Sequence, residues 1–179
     1  MSNTVYIATS IDGYIARKDG SIEWLTEFPN PDGSDYGYAE FIRDIDAIIM
    51  GRHTFETVSG FDTWMYPVPV FVLSSTLKQL SGRWANKAEI ISGNLQDILS
   101  ALKTRGLERL YIDGGKTIQS FLAEDRIDRM VITTIPIVLG SGIPLFGKSA
   151  ELHFRHDSTE IYAGGLVKNT YIRQSIQSS

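Results

Sequence analysis

The chain has 179 residues, 42% of them hydrophobic and 21% charged, with a formal net charge of −4. That is enough for one globular domain with a sizeable core, and too ordinary a composition for long-range disorder. The acidic balance does not suit a nucleic-acid binder, and the lack of cysteine excludes disulfides, thiolate metal sites and a cysteine nucleophile.

The opening MSNTVYIATS lacks the basic start and long apolar run of a signal peptide. No apolar stretch reaches the ~18 residues of a membrane span, so a cytoplasmic protein is expected. Residues 5–9 are a β-prone run, and 28–34, FPNPDGS, are dense in turn residues. Residues 36–43 carry apolar and aromatic side chains at helical spacing. The run 47–50, AIIM, is too short for a helix and reads as a buried strand, with the next helix starting in 54–58. Strands are predicted at 68–73 and 88–91. Asn94 caps a helix with Leu95, Ile98, Leu99 and Leu102 on one face, and Gly106 ends it. Residues 110–112 form a strand that runs into Asp113-Gly114-Gly115, and Ile118, Phe121 and Leu122 mark the following helix. The stretch 130–139 is β-rich, 140–147 (GSGIPLFG) is irregular, and strands at 161–163 and 166–173 are joined by Ala163-Gly164-Gly165.

Strand–helix alternation implies an α/β fold. Its central sheet is mostly parallel with helices on both faces, and the C-terminal strands add an antiparallel edge. A single domain over 1–173 and a flexible tail over 174–179 are expected. In such sheets ligands bind at the carboxyl ends of the strands.

Three predicted strand ends share one character. Met50 leads into Gly51-Arg52-His53-Thr54, Leu73 into Ser74-Ser75-Thr76, and Ile112 into Asp113-Gly114-Gly115-Lys116-Thr117. Helix N-termini offer unpaired N–H groups and partial positive charge, glycine admits close approach of a ligand to the backbone, and arginine can fork onto a phosphate. Each segment also has a plain structural reading: a tight turn, a cap, an ion-paired arginine. His53, His153 and His156 do not form metal-ligand spacing, and no metal is expected. No Gly-x-Ser-x-Gly elbow supports a serine hydrolase.

IIMGRHTFE resembles the second-strand motif of dihydrofolate reductases, VLSST their next strand-end motif, and DGGKTIQSFL their later glycine turn and helix. ATSIDGYIA (8–16) and LGSGIPLF (139–146) resemble the reductase domain of the bacterial riboflavin-biosynthesis deaminase–reductase. An acidic residue before the glycine turn, here Asp113, is a feature of that branch. The resemblance spans about residues 3–173 and implies a dihydrofolate reductase-like three-layer fold that binds NADPH. By position, Gly51, Arg52 and Thr54 would handle phosphates. Arg52, Ser74 and Ser75, following Leu73, would surround the adenosine 2′-phosphate. Gly114, Gly115, Lys116 and Thr117 would receive the pyrophosphate, and a side chain at Gly115 is expected to obstruct it. Lys116 replaces a third glycine of the usual turn and either reaches a phosphate or points to solvent. Ala8 would contact the nicotinamide amide.

The implied substrate is a pterin- or pyrimidine-like small molecule, reduced as in a riboflavin-type 5-amino-6-(5-phosphoribosylamino)uracil reductase. The alternatives are a true dihydrofolate reductase and a catalytically silent nucleotide-binding module. Riboflavin-type relatives are commonly homodimers, and the β-rich C-terminal edge is the expected pairing surface. Without cysteine the deaminase zinc site cannot be built, so a stand-alone reductase domain is expected. Reduction of a C=N bond also needs a proton. Asp35, ahead of the helix before the GR motif, is the candidate acid, with Glu40 as the other choice and a helix-capping role as Asp35's alternative. Asp12 either borders the active site or serves its Asp-Gly turn. Trp24, Tyr36 and Phe41 either line a flat heteroaromatic pocket or belong to the core.

Overall fold

The computed structural model describes residues 1–174. The rest of the expected tail lies outside the described residues. Gln174 is fastened, donating its N–H to the His153 carbonyl at 2.8 Å.

The order of elements is β1 (Ser2–Ser10), β2 (Tyr14–Ala16), α1 (Glu23–Thr26), α2 (Tyr38–Arg43), β3 (Ala47–Gly51), α3 (Arg52–Ser59), β4 (Val70–Leu73), β5 (Ala88–Ile91), α4 (Leu95–Thr104), β6 (Arg109–Asp113), α5 (Gly115–Ala123), β7 (Arg129–Ile135), β8 (Ile143–Pro144), β9 (Phe154–Ile161) and β10 (Val167–Arg173). Eight strands form one sheet in the order β5-β4-β3-β6-β1-β7-β10-β9, while β2 and β8 make a small antiparallel pair. The first six are mutually parallel, and β10 and β9 close the sheet antiparallel.

Apolar side chains on both sides of β3 explain the three layers. Ala47 and Ile49 join a core with Leu95, Leu99 and Leu102 of α4 and Ile118, Phe121 and Leu122 of α5. Ile48 and Met50 point the other way, into a second core with Ile42 of α2 and Phe55 and Val58 of α3. Period-two alternation sends neighbouring residues to opposite faces, so a strand covered on both must be apolar throughout. Burying each such side chain contributes ~1.5–3 kcal/mol.

The topology creates one crevice. From β3 the chain passes through α3 outward to β4 and β5. It returns through α4 to insert β6 between β3 and β1, then crosses β1 through α5 to reach β7. Connections therefore leave the adjacent strands β3 and β6 in opposite directions, the point where an open α/β sheet opens a crevice at its carboxyl edge.

Several elements depart from the expected bounds. β1 extends beyond 5–9 to Ser2–Ser10. β4 starts at Val70 rather than 68, since Pro67 and Pro69 have no N–H to give a ladder. β7 stops at Ile135, ahead of Pro136. The strand expected at 161–163 is Phe154–Ile161, exposed at every position except Phe154. With no buried face it carries no hydrophobic alternation to read. No helix among the described residues is long and apolar enough to cross a membrane.

Candidate functional site

Register brings the three glycine- and hydroxyl-rich strand ends together. Gly51 pairs with Leu73, so Arg52 and Ser74 leave neighbouring strands side by side. Met50 pairs with Asp113, which sets Gly51 next to Gly114. The two helix starts interlock there. A Cβ on Gly114 would fall 2.1 Å from Thr54 Oγ1, and one on Gly51 would fall 3.0 Å from Thr117 Oγ1. Each glycine thus makes room for the threonine of the other helix. Gly114 also has φ +86°, which L side chains rarely adopt. The outcome is two helix N-termini, of α3 and α5, held against each other at the crevice, with their first-turn N–H groups free of intrahelical partners.

The individual residues divide. Arg52 is 44% exposed in its side chain and rests on Glu56 one turn along, at 3.3 Å, a contact a ligand can replace at little cost. Ser74 Oγ accepts from the N–H of Leu77 (3.1 Å) and of Thr76 (3.4 Å), capping the turn, and its own proton stays available to donate. Ser75 and Lys116 are exposed. Thr117 is 3% exposed and packs beneath Gly51, so its side chain serves the interlock while only its backbone N–H belongs to the helix start. A Cβ on Gly115 would meet Ile15 Cδ1 at 2.8 Å and Ile143 Cγ2 at 3.5 Å, so its open side faces the β2–β8 pair.

Asp35 is engaged by backbone donors at the start of α2. Its Oδ1 accepts from the N–H of Gly37 (2.9 Å) and its Oδ2 from that of Ala39 (2.8 Å). These backbone bonds hold its carboxyl below the usual range, the wrong direction for a group that must carry a proton. Asp12 is similarly occupied. Oδ1 accepts from Ser10 Oγ (2.7 Å) and Leu139 N–H (3.1 Å), and Oδ2 from Gly140 N–H (2.7 Å), so it ties the end of β1 to the 139–140 loop. Ser10, first among the causes, and the two backbone donors lower its carboxyl.

The expected pocket aromatics do not share one wall. Trp24 is 6% exposed, in a core with Ile135 and Leu166 against which Ala8 and Tyr36 also pack, and its Nε1 has no hydrogen-bond partner. Tyr36 adopts φ 56°, and its carbonyl accepts from Tyr6 Oη (2.7 Å), Lys168 Nζ (2.9 Å) and Tyr162 Oη (3.1 Å). Three donors on one oxygen pin the entry of α2 to the sheet. Phe41 stacks on Tyr6 at 4.5 Å and meets Tyr111 edge-on at 5.2 Å. It lines a cavity of about 350 Å³ that runs along β1 toward Ser2, Arg109 and Arg129, away from the crevice.

Asp113, read from the sequence only as a mark of resemblance, is the unusual acid of the crevice. It accepts the Gly114 N–H at 2.8 Å, and burial pushes its carboxyl up to about 6. Burial, foremost, and then the charge of Asp113 raise the phenols of Tyr38, Tyr66 and Tyr111. Tyr38 Oη is buried without a partner. The signal for Asp113 was an acid at the end of an otherwise apolar strand, where burial is costly and functional groups collect.

The model of the family described as RibD C-terminal domain matches residues 3–168. A putative riboflavin biosynthesis protein from Shewanella sp. PV-4 is similar in crystal structure, with a TM-score of 0.93 and 45% identity, covering 98% of this chain and 100% of that one. A diaminohydroxyphosphoribosylaminopyrimidine deaminase/5-amino-6-(5-phosphoribosylamino)uracil reductase from Thermotoga maritima aligns with a TM-score of 0.74 and 14% identity, over 97% of this chain and 56% of that one. Dihydrofolate reductase from Enterococcus faecalis, complexed with NADP(H), aligns with a TM-score of 0.69 and 17% identity, over 97% of each. The last two share the fold, which is the dihydrofolate reductase-like three-layer arrangement expected from the motifs.

Proposed function

The chain belongs to the RibD C-terminal domain family, and on that premise we propose that it is an NADPH-dependent reductase of a pterin- or pyrimidine-like small molecule, of the 5-amino-6-(5-phosphoribosylamino)uracil reductase type. The observation that carries this reading is the pair of interlocked helix starts at the β3/β6 crevice, held together because Gly114 and Gly51 leave room for Thr54 and Thr117. Backbone donors and helix dipoles aimed at one point suit a diphosphate. The first turns of α3 and α5 would hold it, while Arg52, Ser74 and Ser75 would close on a 2′-phosphate at the neighbouring strand end. NADPH supplies a hydride at such a site. The chain's part is to bind and orient, and to hold a proton; of the acids at the crevice, Asp113 suits proton holding, because burial raises its carboxyl to about 6, closer to neutral pH than an ordinary carboxyl.

A true dihydrofolate reductase fits less well, since Asp113 precedes the glycine turn and Asp35 is spent on capping α2. That capping role is also what favours the second reading, a silent nucleotide-binding module. Stopped-flow NADPH oxidation across pyrimidine and pterin substrates, beside NADPH binding by fluorescence, separates the readings. Binding with turnover of a pyrimidine supports the proposal, binding without turnover selects the module, and no binding ends both. We further propose a cytoplasmic homodimer joined along β9, the strand that closes the sheet with its residues exposed.

A further inference from the structure

Asp113 sits where a negative charge is least welcome to an anionic ligand. It ends β6, directly before the N-cap of α5, and its Oδ1 occupies the Gly114 N–H. That N–H belongs to the same turn whose donors would receive a diphosphate. The carboxylate therefore competes with the ligand for a donor and repels it through a poorly screened medium.

Among the described residues no cation is paired with it. The titratable groups acting on it are phenols: Tyr111 on its own strand, Tyr38 from α2 and Tyr66 from the segment before β4. Opposite it on β3 stands apolar Met50, α3 contributes the uncharged Thr54 beside Gly114, and Lys116 of α5 is exposed.

We propose that Asp113 is the proton-holding residue of the cofactor turn, taking up a proton from solvent as the dinucleotide diphosphate binds. The inference rests on the nicotinamide-cofactor reading above. Protonation gives the carboxyl a donor, weakens its hold on the Gly114 N–H and removes the charge that opposes the diphosphate. Burial already raises this carboxyl to about 6 in the free protein, within reach of neutral pH. A dianion alongside raises it again, because a like charge disfavours the ionised form. An upward shift of about one pKa unit corresponds to uptake of roughly half a proton at pH 6.5 and to about fivefold tighter binding at pH 6 than at pH 8.

The test is calorimetric titration of the wild-type protein and Asp113→Asn with NADH and NADPH, in buffers of differing ionisation enthalpy. NADH is the primary probe, since the 2′-phosphate of NADPH itself titrates near pH 6. Expected are roughly half a proton taken up per NADH by wild type and a fivefold pH dependence, both lost in Asp113→Asn. No uptake by wild type, or equal uptake by the variant, overturns the proposal. A thermal melt verifies that the variant folds. If it does not, ¹³C-carboxyl NMR of wild-type Asp113 decides: the titration midpoint must rise when NADH is added, and an unmoved midpoint overturns the proposal. Failure of both dinucleotides to bind at any pH overturns the cofactor reading itself, a different result from binding without proton uptake.

Discussion

Replacing Gly114 with alanine tests the interlock of α3 and α5. Two costs arise. At φ +86° an L residue is disfavoured by ~1–2 kcal/mol. The new Cβ also lands 2.1 Å from Thr54 Oγ1 and 3.3 Å from Thr54 Cβ. Rotating χ1 would move the hydroxyl but not the Cβ, so the helix start must give way, at ~1–3 kcal/mol for a tightly packed site. The sum is ~2–5 kcal/mol, or a fall in Tm of roughly 4–20 °C at about 2–4 °C per kcal/mol for a domain of this size. Circular-dichroism melts and urea titrations measure it. Thr54→Ala in the same chain removes Oγ1 and Cγ2 and should return most of the steric part, leaving the 3.3 Å Cβ contact and the backbone part, a coupling of ~1–3 kcal/mol in a double-mutant cycle. Gly115→Ala is the control: its Cβ crowds the flexible end of Ile15 and makes ordinary contacts with Ile143 and Pro144, at a non-positive φ, and should cost under ~1 kcal/mol. A Gly114→Ala protein that melts with the wild type, or a loss that Thr54→Ala does not relieve, would refute the close contact of the two helix starts.

Arg52→Ala should weaken NADPH binding by roughly ten- to a hundredfold, the value of one charge-assisted hydrogen bond, with NADH affinity little changed; equal losses would place Arg52 elsewhere in the site. Asp35→Ala should lower Tm while leaving NADPH affinity intact, because it removes the acceptor for Gly37 and Ala39; lost turnover at unchanged Tm would restore an acid role. Asp46 is held down at about 2, first by the Arg109 guanidinium at 2.7 Å and also by the backbone N–H groups of Arg109 and Glu108. A depressed carboxyl stabilises the fold above its unfolded value and loses that contribution as pH falls. Urea stability should therefore drop between about pH 4 and pH 2, and Asp46→Asn should be less stable at neutral pH with a flatter profile across that window.

Much of the fold is legible because its signals are local or periodic. Four consecutive apolar residues, Ala47 to Met50, are all 0% exposed, as a strand between two helical layers requires. Asn94 caps α4 as read, its side chain accepting from Asp97 N–H at 2.8 Å. The exposed β9 has no buried face and so no pattern, and β2 and β8, of three and two residues, are too short to show one. The glycine-rich strand ends also stand out, but not the direction each glycine opens. Gly114 and Gly115 are adjacent letters, yet one makes room for Thr54 and the other for Ile15, because one residue's advance into a helix turns the missing side chain by about 100°.

The two acids show why site chemistry is harder to read than site location. Distance along the chain favours Asp35, which precedes the helix ahead of the GR motif. Its surroundings decide otherwise. Positive φ at Tyr36 (56°) and Gly37 (87°) folds the backbone so that two N–H groups come to one carboxylate. A carboxylate fed by its own chain stays ionised. Asp113 receives one such donor, from Gly114, and strand parity turns it to the face of Tyr111, beneath α2, where desolvation is the largest influence on it. Whether an acid at a glycine turn becomes a cap or a proton holder therefore depends on how many local donors reach it. That is set by backbone dihedrals that the residue names only hint at: glycine permits a positive φ, but nothing in the letter requires it.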